Sequence, residues 1–316
     1  MSKPQVSILV PLYNEEETFQ KLISRLNKVI EEAKVSIEVI LVDDGSSDKT
    51  PLLMKQVAML NSLYTCIFLS RNYGHQIALT AAIDAANGTE CVFIIDGDLQ
   101  DPPELFYVFY QKLKEGNDVV YAIRKKRKES FFKRILYKLF YRIQKNIVKI
   151  DIPIDSGDFS LLSRKVVDIL KKMPEESRYI RGLRAWIGLK QCGIEYERSE
   201  RKYGTSKYTM KMLFKLAYDG IFNFTEFPIK LITKLGIISI SISLLYLFVT
   251  LIRRFYFGDV PEGFTGILFT IILFSGVQLI CIGILGEYLI RVFFQTKDRP
   301  LYIVKSKIID KKIIDE

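Results

Sequence analysis

Cys91-Val92-Phe93-Ile94-Ile95-Asp96-Gly97-Asp98-Leu99-Gln100-Asp101-Pro102-Pro103-Glu104 is the stretch on which the fold turns. It opens as an unbroken apolar run, the pattern of a strand buried on both faces. It then stops at a cluster of carboxylates. Alternate side chains of an extended chain share a face, so Asp96 and Asp98 can point the same way. Gly97 between them lets a ligand come close to the backbone. Two hard oxygen donors at a strand end suit Mg²⁺ or Mn²⁺ carrying a diphosphate. The alternative is an acidic loop that caps a helix starting near Pro103. Three acids so close together repel one another unless something positive compensates, which favours the metal. The pattern points to transfer of a group from an activated phosphate donor.

Working outward, Val6–Val10 is a compact apolar run. Glu15–Glu32 follows with Phe19, Leu22, Ile23, Leu26, Val29 and Ile30 at helical spacing. Ile37–Val42 is a second apolar run, ending at Asp43-Asp44-Gly45-Ser46. Further strands are expected at Tyr64–Leu69, Glu90–Ile95 and Val119–Ile123, with helices at Thr50–Asn61, Gln76–Ala86 and Glu104–Glu115. Apolar strands alternating with helices imply an α/β fold with a mostly parallel sheet covered on both faces. Ligands in such sheets bind at the carboxyl ends of the strands. Every polar cluster named so far lies at such an end.

The chain has 316 residues, is 49% hydrophobic and carries a formal charge of +10. Its mean hydropathy is +0.14. A soluble domain plus a membrane part fits these values. The charge suggests an anionic partner, either nucleic acid or a membrane surface. The four cysteines are far apart and only one histidine accompanies them, which argues against zinc. No disulfide framework is visible, as expected in a reducing compartment. The first residues do not read as a signal peptide.

Two long apolar segments, about Leu231–Ile252 and Phe264–Ile290, each reach the roughly 20 residues needed to cross a bilayer. The link at 253–263 has cancelling charges. Lys211, Lys215 and Lys230 flank one side, and Arg291, Lys297, Arg299, Lys305 and Lys307 the other. The positive-inside rule then places both flanks, a juxtamembrane stretch at 211–230 and a tail at 291–316, in the cytoplasm. A multi-pass protein of the cytoplasmic membrane is expected. Residues 124–149 are rich in Lys and Arg, with Phe132, Ile135, Leu136, Leu139, Phe140, Ile143 and Ile147 at helical spacing. That pattern suits a helix in the membrane interface, a reading that two nearby spans favour; a helix packed on the domain is the alternative. Nucleic-acid binding would explain the basic stripe but leave the apolar segments and the acidic cluster without purpose.

Six short motifs occur in order: Pro11-Leu12-Tyr13-Asn14-Glu15, Asp43-Asp44-Gly45-Ser46, Arg71-Asn72-Tyr73-Gly74, the Asp96–Glu104 cluster, Gly157-Asp158-Phe159, and Arg201-Lys202-Tyr203-Gly204-Thr205-Ser206-Lys207. As an ordered set they resemble the family 2 glycosyltransferases of the polyprenyl-phosphate type, over nearly the whole chain. The resemblance implies a GT-A domain at 1–210 and a C-terminal two-helix hairpin. It also implies a nucleotide-sugar donor, a polyprenyl phosphate acceptor and an inverting transfer of one hexose. UDP-glucose is the first expectation, with GDP-mannose as the alternative. A glycolipid synthase acting on a hydroxyl lipid is a further alternative. Relatives of this architecture can assemble as tetramers, though nothing in the sequence requires a homo-oligomer. The Gln-x-x-Arg-Trp signature of processive synthases is missing, which favours a single transfer.

Residue roles follow from the resemblance. Pro11, Tyr13 and Glu15 sit where an aromatic ring and a carboxylate can hold a nucleoside; the plain alternative is a strand-to-helix turn. Alternation does not choose between Asp43 and Asp44. The family assigns the base contact to Asp44, with Val42 lining the pocket. Gln100 is a third metal contact by similarity. Arg124, Arg201 and Lys207 match positions that meet the donor diphosphate. Asp158 is the candidate catalytic carboxylate, although a turn aspartate after glycine is an ordinary feature. His75 reads as solvated or capping. Trp186 reads as a membrane-side anchor or as core. Arg178, Arg181 and Arg184 read most simply as solvated charges that can also meet a phosphate.

Overall fold

The computed structural model describes residues 3–124, 156–176, 178–197, 227–257 and 263–315. Arg201, Lys207, the basic segment from residue 125 onward and residues 211–226 lie outside the described residues. The described residues fall into two compact units: 3–124, 156–197 (less 177) and 299–315 form one, and 227–257 with 263–298 form the other.

The first unit is built on nine strands: β1 Val6–Leu12, β2 Ile37–Asp43, β3 Tyr64–Leu69, β4 Cys91–Ile94, β5 Val119–Arg124, β6 Ser156–Ser163, β7 Gln191–Tyr196, β8 Val304–Ile309 and β9 Lys312–Asp315. Its helices are α1 Glu16–Glu32, α2 Thr50–Leu60, α3 His75–Ala85, α4 Phe106–Lys114, α5 Arg164–Lys172 and α6 Ile180–Trp186. The sheet order is β7-β5-β6-β4-β1-β2-β3-β8-β9. Strands β3, β2, β1 and β4 are mutually parallel. Strand order reverses at β1, so the crevice between the carboxyl ends of β1 and β4 is the switch point where such sheets bind ligands.

The parallel core follows from the apolar runs. The rest of the sheet is mixed. β6 enters antiparallel between β4 and β5. Its amino end, which carries Asp158, therefore lies beside the carboxyl ends of its neighbours. Four rings hold these strands in place. Phe93 of β4 meets Phe106, Phe109 and Phe159 with centroids 5.5, 5.9 and 5.5 Å away, in the tilted and edge-on geometries that aromatic pairs favour. Phe159 follows Asp158 directly, so this packing fixes where that carboxylate emerges.

The stretch from Val304, expected as part of a tail, belongs to the sheet instead. β8 pairs antiparallel with β3, and β9 pairs back on β8. Asp310 and Lys311 join them with φ of 49° and 63°, the double positive φ of a two-residue hairpin turn. The first unit is thus closed by chain from beyond the helical unit.

The second unit consists of α7 Phe227–Phe257 and α8 Phe264–Thr296, of 31 and 33 residues. α7 runs into the expected link, and α8 runs past the expected end of the second span. Among the described residues, Leu273–Thr296 is the one segment long and apolar enough to cross a membrane, with mean hydropathy 1.8 and none of it buried. The apolar stretch of α7, Lys234–Tyr246, is shorter.

Candidate active site

The β1 and β2 ends are stitched together first. Asn14 takes a positive φ of 52° between β1 and α1. Its N–H donates to Ser46 Oγ (2.9 Å), and its Oδ1 accepts from the Ser47 N–H (2.8 Å). The Glu15 N–H donates to Thr50 Oγ1 (2.9 Å), and the Glu15 carboxylate accepts from Thr18 Oγ1 (2.9 Å). Pro11 is buried in β1, and Tyr13 stands at the surface, 37% exposed.

The two neighbouring aspartates divide their work. Asp43 accepts from the Ser46 N–H (3.2 Å) and so closes its own turn. Asp44 reaches across and accepts from the N–H groups of Tyr73 (2.7 Å) and Gly74 (2.9 Å), one on each oxygen. It thereby anchors the loop that starts α3. Burial raises the pKa of both, against these hydrogen bonds. Gly45 is required here. Its φ is +69°, and a Cβ would lie 2.5 Å from the Arg71 carbonyl carbon. Val42 is fully buried, on the opposite sheet face from Leu41.

The loop after β4 is shaped by packing. A Cβ on Gly97 would overlap Leu12 Cδ2, so the glycine allows the acidic loop to lie close against β1. Asp98 Oδ1 accepts from the Gln100 N–H (3.1 Å). Leu99 takes a φ of 59°, which a bulky residue adopts only at a cost. Asp101 is buried and accepts from the Tyr196 hydroxyl, so the third acid of the cluster ties the loop to β7.

The crevice opposite Asp96 holds a charge network. Asp158 is 7% exposed. Its Oδ2 accepts from Gln76 Nε2 (2.8 Å), and its Oδ1 pairs with Arg181 Nε (3.1 Å). Gln76 Oε1 accepts from the Ile180 N–H (2.9 Å), which locks α3 to the start of α6. His75 Nε2 lies 3.5 Å from Asp158 Oδ2 and 3.5 Å from Asp96 Oδ1. Burial pulls the imidazole pKa down, but its bond to Asp158 and the charges of Asp96 and Asp158 outweigh this and raise it to about 9. Burial pushes Asp158 up, yet Arg181 and His75 outweigh it and hold the carboxyl well below the usual range. Burial raises Asp96; His75 opposes this, and Asp101, Asp158 and Asp98 add to it.

His75 therefore lies between the two acids, with 32% of its side chain still exposed, rather than serving only as a solvated or capping residue. Arg181 belongs to the site, and Arg184 is 1% exposed, so the solvated reading of these two arginines fails. The antiparallel insertion of β6 sets Asp158 among α3, the β4 loop and α6, and no local pattern announces it. Arg124 ends β5, with its Nη2 3.1 Å from where a Cβ of Gly157 would stand, so it lies beside the residue preceding Asp158. Trp186 is 62% exposed and is not core.

Among the described residues no three His, Cys, Asp or Glu side chains form a metal cage. The donor chemistry of Asp96 and Asp98 fits a hard divalent cation as a partial shell. Mg²⁺ and Mn²⁺ favour such oxygens and leave the remaining positions to water and a substrate diphosphate.

The open α/β sheet, with its acidic loop at the switch point, is of GT-A type. Residues 7–170 match the glycosyl transferase family 2 model, and the chain belongs to that family. Glycosyltransferase YkcC of Bacillus subtilis (strain 168) is 43% identical over 303 residues, covering 96% of this chain and 94% of that one. The bactoprenol glucosyl transferase of Shigella phage SfX is 36% identical over 304 residues, covering 96% and 99%. The prophage bactoprenol glucosyl transferase homolog of Escherichia coli (strain K12) is 34% identical over 302 residues, covering 95% and 98%.

Proposed function

We propose that this glycosyltransferase moves one hexose, glucose from UDP-glucose as the first choice, onto polyprenyl phosphate at the cytoplasmic face of the membrane. The observation that carries the transfer chemistry is the convergence of Asp96 and Asp158 on His75, each at 3.5 Å. The relatives named bactoprenol glucosyl transferase, matched over nearly their full length, support the sugar and the lipid.

The acceptor is already a nucleophile. A phosphate monoester has its second pKa near about 6 and is largely ionised at neutral pH. One of its oxygens bonds to the anomeric carbon as the bond from that carbon to the diphosphate oxygen breaks. Attack from the opposite face inverts the configuration, and nucleoside diphosphate leaves. Asp158, kept ionised by Arg181 and oriented by Gln76, faces the cationic sugar of the transition state. Asp96 and Asp98, with Gln100, would hold Mg²⁺ or Mn²⁺, which supplies neutralising charge to the departing diphosphate. Arg124, Arg201 and Lys207 would grip that diphosphate through charged donors. Pro11, Tyr13, Glu15, Val42 and Asp44 would form the nucleoside end, with Gly97 bringing the acidic loop close to it.

Membrane topology has its own support. β8 is paired to β3, so the chain re-enters the first unit after α8. A chain that leaves one side of a bilayer and returns to it crosses an even number of times. A crossing by α8 therefore favours a second crossing by α7, although its most apolar stretch is short. The basic flanks then favour the cytoplasm for the first unit.

The test is incubation of labelled UDP-glucose with undecaprenyl phosphate or diacylglycerol. Label should enter only the phosphate lipid, and Asp158→Asn should slow that reaction. Label in diacylglycerol, abolished by the same variant, would favour a hydroxyl acceptor that needs a true general base.

A further inference from the structure

Arg184 lies on α6, one turn beyond Arg181. It is 1% exposed, and its Nε, Nη1 and Nη2 all lack a hydrogen-bond partner among the described residues. A guanidinium offers five N–H donors, and leaving such a charge buried and unpaired is strongly unfavourable. Burial lowers its pKa to about 10, with Asp158 opposing the shift, so it stays charged at neutral pH. The Tyr121 ring, with its centroid 5.2 Å from Arg184 Cζ, compensates part of this. The charge of Asp158 offsets another part, but its oxygens already bond Gln76 and Arg181, with His75 3.5 Å away, and it makes no hydrogen bond to Arg184.

Position along the sheet suggests which anion completes the site. The residues assigned to the nucleoside lie on β2 and β1, the acidic loop follows β4, Asp158 is on β6, and Tyr121 is on β5. The sheet order runs β5-β6-β4-β1-β2. Arg184, over Tyr121, is thus on the far side of Asp158 from the nucleoside end. A donor diphosphate beside the β4 acids lies on the other side of that carboxylate. We propose that Arg184 is the docking group for the phosphate monoester of the lipid acceptor, an inference that rests on the functional reading above. Its fork of donors suits two phosphate oxygens at once. The acceptor phosphate would then sit across Asp158 from the leaving diphosphate, as displacement from the opposite face requires.

The test uses the full chain in detergent with Arg184→Met, which keeps the volume and removes the charge. Melting temperature without substrate should rise by about 2–4 °C, because a buried charge without a hydrogen bond is removed. The KM for undecaprenyl phosphate should rise at least tenfold, with the KM for UDP-glucose within twofold of wild type. Inorganic phosphate should raise the melting temperature of the wild type and not of Arg184→Met, a readout that does not depend on turnover. If wild type fails to glycosylate the lipid, the functional reading falls, while the phosphate shift still decides whether Arg184 binds the anion. An unchanged acceptor KM would overturn the proposal, as would a rise confined to the donor KM. Should Arg184→Met fail to fold, Arg184→Lys carries the test, with the same acceptor-specific rise expected.

Discussion

At the β2 end of the crevice, Asp43 and Asp44 end on backbone N–H groups; at the β6 end, Asp158 is held by the side chains of Gln76, Arg181 and His75. The first arrangement is set by the fold itself, because a backbone amide neither titrates nor leaves. The second is a network in which each charge depends on its neighbours, with one member, Arg184, left without a hydrogen bond. On the functional reading proposed above, the first would be a preformed nucleoside side and the second an acceptor side completed by what binds there.

The strongest way to break this comparison is at the acids between the two ends. Asp98→Asn should reduce transfer below detection while the protein still inserts in the membrane, measured by labelled-sugar incorporation and membrane fractionation. Full metal-dependent activity in that variant would remove the metal assignment. Asp158→Asn should slow transfer to a phosphate acceptor by about 10²-fold, the lower end of the range for losing one electrostatic stabiliser of the transition state, with UDP-glucose affinity unchanged by calorimetry. Effects at the preformed end should appear first as stability. Asp44→Ala removes two charge-assisted bonds and should cost about 2–3 kcal/mol in denaturant unfolding of the first unit, with a weaker donor KM as a consequence. Gly97→Ala should cost about 1 kcal/mol through its overlap with Leu12. Leu12→Ala in the same chain should cost less than the sum of the two single changes, because the removed methyls make room for the new one.

The sequence carried the preformed end well. Apolar runs marked β1, β2 and β4, the last two stopping at acids, and the ends of β1 and β4 flank the switch point. The acceptor end was poorly legible. His75 follows a glycine at a helix start and looks ordinary until β6 crosses beside it. Arg184 sits on a helix of seven residues, too short for periodicity to separate a buried arginine from an exposed one. The β8–β9 hairpin did leave a signal, two apolar pairs, Ile308-Ile309 and Ile313-Ile314, around Asp310-Lys311. The flanking lysines made it read as a basic tail. In each case the missing information was a long-range pairing.

The most direct measurement is the mass of the lipid formed from undecaprenyl phosphate, Mg²⁺ and a panel of nucleotide-sugars by the purified full chain. The account predicts a lipid heavier by a single hexose, strongest with UDP-glucose and lost on chelation of the metal. An undecaprenyl phosphate of unchanged mass with every donor would contradict it.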